Sequence, residues 1–430
     1  MKIGLITPFN LYRPNFRLSE DGRIDDFFKE KVRSSRAYSP SDSLLQLAAL
    51  TPTGHEVFYM DDQFGSVNFD ESLDLAAITV ITPSADRAYE IAEEYKRRGV
   101  YVVMGGVHVS LCPEEASKHG DTIVVGDADN IWMSFLSDFR RGRAKKMYNG
   151  GMARIGNSPP PRIDLLPPEK FRRTLLQTEL YSLRTSVGCT RRCKYCTNWE
   201  MSCNKIRKKT LRQIKREIKH ISARSQIFTL SLIDDNPFLD IKHITRVLHY
   251  FKDVGVRWIG PADISISDHP KLLKLIRESG CTYLCFGLES LNPENLKWLA
   301  PWKSKFVKSY KERIRILRDH GLNVMGSFMV GLERDTPETF QQDFDFFIET
   351  NLVTVGIAII TPLPGTSFRQ RLIDEKRLDL NAPWSDYTGF NLLYTHPTLS
   401  KQEMYDGVLW FLKKCNMPEV QEHMQKAFIR

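Results

Sequence analysis

From residue 180 to 366 the sequence alternates between short apolar runs and amphipathic ones. The runs "YSLRTSVG", "QIFTLSLIDD", "RWIGPADI", "TYLCFGLES", "NVMGSFMVG" and "TVGIAIITPLPGT" have the length and residue types of strands. The segments "TLRQIKREIKHIS", "KHITRVLHYFKDVG", "PKLLKLIRESG", "KSYKERIRILRDHG" and "TFQQDFDFFIETN" between them read as helices. In the first, Leu211, Ile214, Ile218 and Ile221 share one stripe. A helix between two strands returns the chain to the same end of the sheet, so the strands pair in parallel. Six of them predict a partial (β/α)6 barrel with its chemistry at the carboxyl ends of the strands.

Residues 1–141 keep the same rhythm in unrelated sequence. "KIGLIT", "VFYM", "AAITVI", "VYVVMGG" and "DTIVVGD" read as strands. "SLLQLAAL", with Leu44, Leu45, Ala48 and Ala49 at helical spacing, stops at Pro52 and Gly54. "DRAYEIAEEYKRRG" is a helix closed by Gly99. This is an α/β, Rossmann-like pattern with a ligand expected at the strand carboxyl ends. Residues 142–179, containing "GRAKKMYNGGMARIGNSPPPRIDLLPPEK", are rich in Gly, Pro and basic side chains and read as a linker. Residues 180–366 form the barrel unit, and 367–430 a short, mostly helical tail containing "EMYDGVLWFLKKC".

Four of the eight cysteines fall in "TSVGCTRRCKYCTNWEMSC", residues 185–203. No run of about 18 apolar residues exists, and the start "MKIGLITPFN" lacks the apolar segment of a signal peptide. The expected location is cytoplasmic, where thiols stay reduced and clustered cysteines favour metal over disulfide. Cys189, Cys193 and Cys196 are spaced C-x3-C-x2-C, in the loop after the first barrel strand. With Cys203 as fourth ligand they could hold zinc. Three thiolates could instead hold three irons of a [4Fe–4S] cluster and leave one iron open for a ligand.

The loop "CTRRCKYC" resembles the CxxxCxxC loop of radical S-adenosylmethionine (SAM) enzymes, and "LIDDNPF" (232–238), "FGLES" (286–290), "GSFMVGLERDT" (326–336) and "TPLPGT" (361–366) resemble that family's strand ends, in order. The resemblance implies a [4Fe–4S] cluster on Cys189, Cys193 and Cys196 that binds and reductively cleaves SAM. It implies an external electron donor such as flavodoxin or ferredoxin. It places Tyr195 beside the third cysteine, Asp234 and Asp235 toward the methionyl amino group, and Glu289 and Ser290 toward the ribose. Ser327 and Gly331 would line the adenine. The adenine motif G-x-I-x-G-x-x-E of some members is not matched in register here. Read as residues alone, "DDNP" and "ESLNPE" are equally turn and helix-cap sequences.

The first 140 residues resemble the cobalamin-binding domain found ahead of many radical SAM barrels, in "LQLAALTPTGHEVFYMDD", "ITPSA", "GGVHVSLCPEEA" and "VVGDAD". The matching positions are Thr82, Ser84, Gly105, Gly106, His108, Ser110 and Gly126, which would line a groove for cobalamin. No D-x-H-x-x-G follows the first strand, so no His is offered to cobalt from below, and the family's "GEGE" turn reads "GDAD". The architecture implies a cobalamin-dependent methyltransferase acting on an unactivated carbon. The alternative is a radical SAM enzyme that forms or rearranges a C–C or C–heteroatom bond without methyl transfer, its first domain vestigial. A methylthiotransferase would need a second cysteine triad upstream, and Cys112 is the one cysteine before Cys189.

The net charge of +9 suits an anionic partner or a solvated lysine-rich face, but no RNA-binding signature accompanies it, and no nucleic-acid partner is expected. The substrate is expected to be a small molecule or lipid. Trp384, Tyr387, Phe390 and Tyr394 could wall its site or belong to the core.

Overall fold

The central residues of Lys2–Thr7 are all buried, because this strand, β1, is covered on both faces. It joins β2 (Glu56–Asp61), β3 (Leu75–Thr79), β4 (Tyr101–Gly105), β5 (Thr122–Gly126) and β6 (Met147–Gly151) in an all-parallel sheet of order β2-β1-β3-β4-β5-β6. The computed structural model describes residues 1–9, 40–62, 67–166 and 178–429. Part of the expected linker, 167–177, lies outside them.

Alternate residues of each strand feed opposite cores. Ile6, Ile78, Val102, Met104 and Ile123 pack with the helix Ala85–Arg97. Ile3, Leu5, Leu75, Ala77, Val103 and Val124 pack with the helices Asp42–Leu50 and Trp132–Arg140. The strand order reverses between β1 and β3, which puts a crevice at the carboxyl ends. Strand β6 comes from the Gly-rich segment whose composition reads as linker. As an edge strand with alternating burial, it needs no continuous apolar run.

A second parallel sheet runs from β7 (Glu179–Leu183). Two short antiparallel strands, β8 (Ser186–Val187) and β9 (Arg207–Lys208), bracket the cysteine loop. Then come β10 (Phe228–Leu232), β11 (Arg257–Ala262), β12 (Cys281–Glu289), β13 (Val324–Val330) and β14 (Thr354–Ile359). The order β7-β10-β11-β12-β13-β14 follows the chain and leaves two edges, so this is an open, partial barrel. The helices Leu211–Arg224, Ile241–Val254, Pro270–Glu278, Tyr310–Asp319 and Pro337–Glu349 alternate with the strands. The tail helix Lys401–Cys415 opens with a Ser400–Glu403 capping box and packs Trp410 and Phe411 edge-on against Phe344.

The carboxyl ends of the two sheets face each other. Gly365, after β14, lies against Leu111, after β4. Arg207 on β9 pairs with Asp127, after β5.

Candidate active site

Chain geometry turns the cysteine loop inward. Asp234, at the end of β10, is buried and accepts hydrogen bonds from the backbone N–H and hydroxyl of both Thr185 and Ser186. It fixes the corner from which the loop departs. Asp235 accepts from the Gly188 N–H at 2.6 Å. Gly188 has φ +105°, and a Cβ there would collide with the Lys205 carbonyl, so only glycine admits the chain leading into β9 this closely.

Cys193 is buried, and Cys189 and Cys196 are half-buried. The indole N–H of Trp302 donates to Cys193 Sγ at 3.2 Å, and the Arg191 N–H donates to Cys189 Sγ at 3.4 Å. Burial pushes the Cys189 thiol up to about 11 and Cys196 up to about 12. Among the described residues, the trio of potential ligand atoms within 4.8 Å of one another lies elsewhere. The loop sulfurs are therefore set wider than one tetrahedral ion requires, while Cys203 is exposed. Three inward thiols with N–H donors on two of them fit a larger iron–sulfur cluster.

Beside the loop stands Glu289. The β12–β13 register slips between Gly287 and Glu289, and Glu289 takes φ +66°, rare for a side-chain-bearing residue. Its carboxylate accepts from the Tyr195 hydroxyl at 3.0 Å and the Lys303 ammonium at 2.5 Å. Lys303 also donates to the Gly287 carbonyl at 2.7 Å. The Arg191 guanidinium stacks over Trp302 at 4.2 Å and pairs with Asp263 at 3.0 Å, which also accepts from Asn236. The structure thus gathers Tyr195, Glu289 and the cysteines, and adds Trp302, Lys303, Arg191 and Asp263. Trp302 and Lys303 lie on the short helix Pro301–Ser304, inserted between β12 and its crossover helix.

Of the other expected site residues, Ser290 and Gly331 are buried. Ser290 Oγ accepts from Asn295 Nδ2 and the Asn292 N–H, both at 3.1 Å. Ser327 is half-buried on β13. The Gly331 carbonyl accepts from the hydroxyl of Tyr394, a core residue rather than a wall of an open site.

At the edge of the first sheet, Thr82, Ser84 and His108 are buried. Ser84 Oγ donates to the Ile81 carbonyl, and Thr82 Oγ1 meets His108 Nδ1 at 3.3 Å. Ser110 Oγ donates to the Gly106 carbonyl and accepts from the Gly126 N–H. Gly106, at φ +108°, lies where a Cβ would come within 2.6 Å of the Val80 carbonyl. A Cβ on Gly126 would meet the Gly151 carbonyl, also at 2.6 Å, whereas Gly105 has looser neighbours. These glycines let strand ends approach one another. What this edge presents outward is apolar: Ile81 is 56% and Val107 39% exposed. Such an edge fits one face of a flat, largely apolar macrocycle.

Residues 183–347 match the model of the Radical SAM superfamily. The bacteriochlorophyllide d C-8(2)-methyltransferase of Chlorobaculum tepidum is 28% identical over 384 residues, 85% of this chain and 82% of that protein. The anaerobic magnesium-protoporphyrin IX monomethyl ester cyclase of Rubrivivax gelatinosus is 24% identical over 70% of this chain and 59% of its own length. The structure of the radical SAM methyltransferase TsrM from Kitasatospora setae, with cobalamin and a [4Fe-4S] cluster bound, superposes with TM-score 0.69 at 16% identity, covering 97% of this chain and 89% of that one. With its open barrel and inward cysteine loop, the protein is a radical SAM enzyme, with SAM and a [4Fe–4S] cluster as cofactors. Ahead of the barrel it carries a Rossmann-like parallel sheet, in the arrangement of the cobalamin-bound TsrM structure.

Proposed function

We propose that this chain is a cobalamin-dependent methyltransferase acting on an unactivated carbon of a small molecule. The observation that carries this reading is the alignment with a C-methyltransferase across both sheets, 85% of the chain. When bound, the cluster supplies the electron that breaks the SAM sulfonium, and cobalamin supplies methyl transfer.

The chain's own residues hold, orient and exclude water. Cys189, Cys193 and Cys196 hold the cluster. Asp235, less enclosed than Asp234, faces the methionyl ammonium, while Asp234 positions the loop. Glu289 and Tyr195 orient the ribose, with Ser290 bracing the turn behind them. Ser327 lines the adenine, while the turn at Gly331 is braced from inside by Tyr394. Ile81 and Val107 offer an apolar platform to the corrin. Thr82, Ser84, Gly105, Gly106, His108, Ser110 and Gly126 shape the turns that carry it. On this reading the cobalamin unit extends from residues 1–141 through β6, the rest of 142–179 is the connection, 180–366 the barrel and 367–430 the substrate-related tail, and an external flavodoxin or ferredoxin provides electrons. No described helix is long and apolar enough to cross a membrane.

The test is made on anaerobically purified protein reconstituted with iron, sulfide and hydroxocobalamin. About four irons per chain, lost in the Cys189→Ala, Cys193→Ala, Cys196→Ala triple variant, together with bound cobalt and transfer of label from methyl-labelled SAM, support it. Iron without cobalt or methyl transfer points to bond formation, the kind of reaction the cyclase relative's name describes.

A further inference from the structure

His108 belongs to the short helix Val107–Leu111 after β4. Cys112 ends it, and Glu115 lies in the next turn, Pro113–Ala116. Among the described residues these are the three whose imidazole, thiol and carboxylate atoms lie within 4.8 Å of one another. His108 is 0% exposed, and its Nε2 has no hydrogen-bond partner. The nearest Glu115 oxygen is 3.6 Å away, too far for a hydrogen bond. A buried ring nitrogen in that state lacks what water would have given it.

The surroundings hold the group in place. The other ring nitrogen, Nδ1, faces the Thr82 hydroxyl at 3.3 Å, an outer contact of the kind that orients a metal-bound imidazole. Glu115 Oε1 accepts from the Tyr89 hydroxyl at 2.9 Å and from the Trp384 indole N–H at 2.7 Å. The Trp384 ring packs edge-on against the His108 ring, with centroids 4.8 Å apart. Burial and the Glu115 charge push the Cys112 thiol up to about 11, against the pull of the Arg369 guanidinium stacked 5.3 Å from the centre of the Trp384 ring, so binding a cation would displace its proton.

We propose that His108, Cys112 and Glu115 form a mononuclear site for a borderline-soft divalent cation, zinc being the natural choice, which pins residues 384–387 of the tail onto the first sheet. One nitrogen, one sulfur and one carboxylate oxygen suit zinc and are foreign to magnesium or calcium. Three protein ligands leave the fourth position to water. The site stands apart from the cysteine loop and does not depend on the methyl-transfer reading.

The test uses the full-length chain with its iron–sulfur cluster already reconstituted, so that Cys189, Cys193 and Cys196 are occupied. Zinc chloride is added at one equivalent, free metal is removed, and zinc and iron are counted. The zinc-edge X-ray absorption spectrum is then recorded. The expected result is one zinc per chain at unchanged iron, with one sulfur neighbour and the rest nitrogen or oxygen. In Cys112→Ser the sulfur contribution disappears and zinc affinity falls at least tenfold, and Glu115→Gln weakens affinity in the same direction. No retained zinc, a shell without sulfur, a shell of several sulfurs, or a spectrum unchanged in Cys112→Ser overturns the proposal. Were Cys112→Ser to misfold, as judged by circular dichroism, the wild-type spectrum alone decides.

Discussion

Lys303 holds its ammonium 2.5 Å from the carboxylate of Glu289, with only 6% and 10% of the two side chains exposed. The pair sits where β12 bulges and the Glu289 backbone is left-handed. Removing one partner strands a buried charge, so Lys303→Met should lose about 3–5 kcal/mol of stability in denaturant titration. Glu289→Gln should lose less and should weaken SAM binding by equilibrium dialysis. Equal SAM affinity in wild type and Glu289→Gln would remove Glu289 from the ribose.

Trp302 donates its indole N–H to Cys193 Sγ. A donor to a cluster sulfur stabilises the more negative, reduced state. Trp302→Phe should therefore lower the reduction potential by several tens of millivolts at unchanged iron content, read by spectroelectrochemistry.

Without a cluster, the loop thiols should be sluggish nucleophiles. Burial raises Cys189 to about 11 and Cys196 to about 12, and thiolate is the reactive form. Their alkylation by iodoacetamide should rise about tenfold per pH unit between roughly 7 and 10, with exposed Cys203 modified first. Mass spectrometry of the peptides gives the rates.

Asp335 is a carboxyl held in the core, accepting from Asn295 Nδ2 and the Leu332 N–H. Burial pushes it up to about 7. The folded state keeps a proton that the unfolded chain releases near pH 4, so this group's stabilising effect is full below about 4, declines as pH rises to about 7 and is flat above. Asp335→Asn should gain melting temperature relative to wild type at pH 8 compared with pH 5. A difference independent of pH would contradict the shift.

Gly106→Ala forces a Cβ to 2.6 Å from the Val80 carbonyl, in a backbone region hostile to side chains. A loss of about 2–4 kcal/mol is expected, with the first sheet melting early in hydrogen exchange.

Every strand of the two six-stranded sheets except β6 was legible in the sequence because each is a dense apolar run beside a helix of clear period, and the cysteine loop because its spacing is rare. Lys303 and Trp302 were not, since they lie on a one-turn helix with no periodic signal and meet their partners across long sequence separations. Asp234 looked like a ligand for ammonium. Its four hydrogen-bond donors, all from residues 185 and 186, become visible only when β7 and β10 pair. Tyr394 read as a possible substrate wall because an aromatic residue in a loop carries no mark of burial. Strand β6 escaped because glycine and asparagine dominate it.

Trp384 and Ser385 are near the end of the chain, yet they bond to Glu115 and Asp86 near its beginning. The tail is thus inherited mechanically with the first sheet, although the bonded partners lie 269 and 299 positions apart in the reading frame. A chimera that exchanges the first unit between relatives should carry residues 384–387 along with it, since a foreign tail would meet an edge cut for a different key.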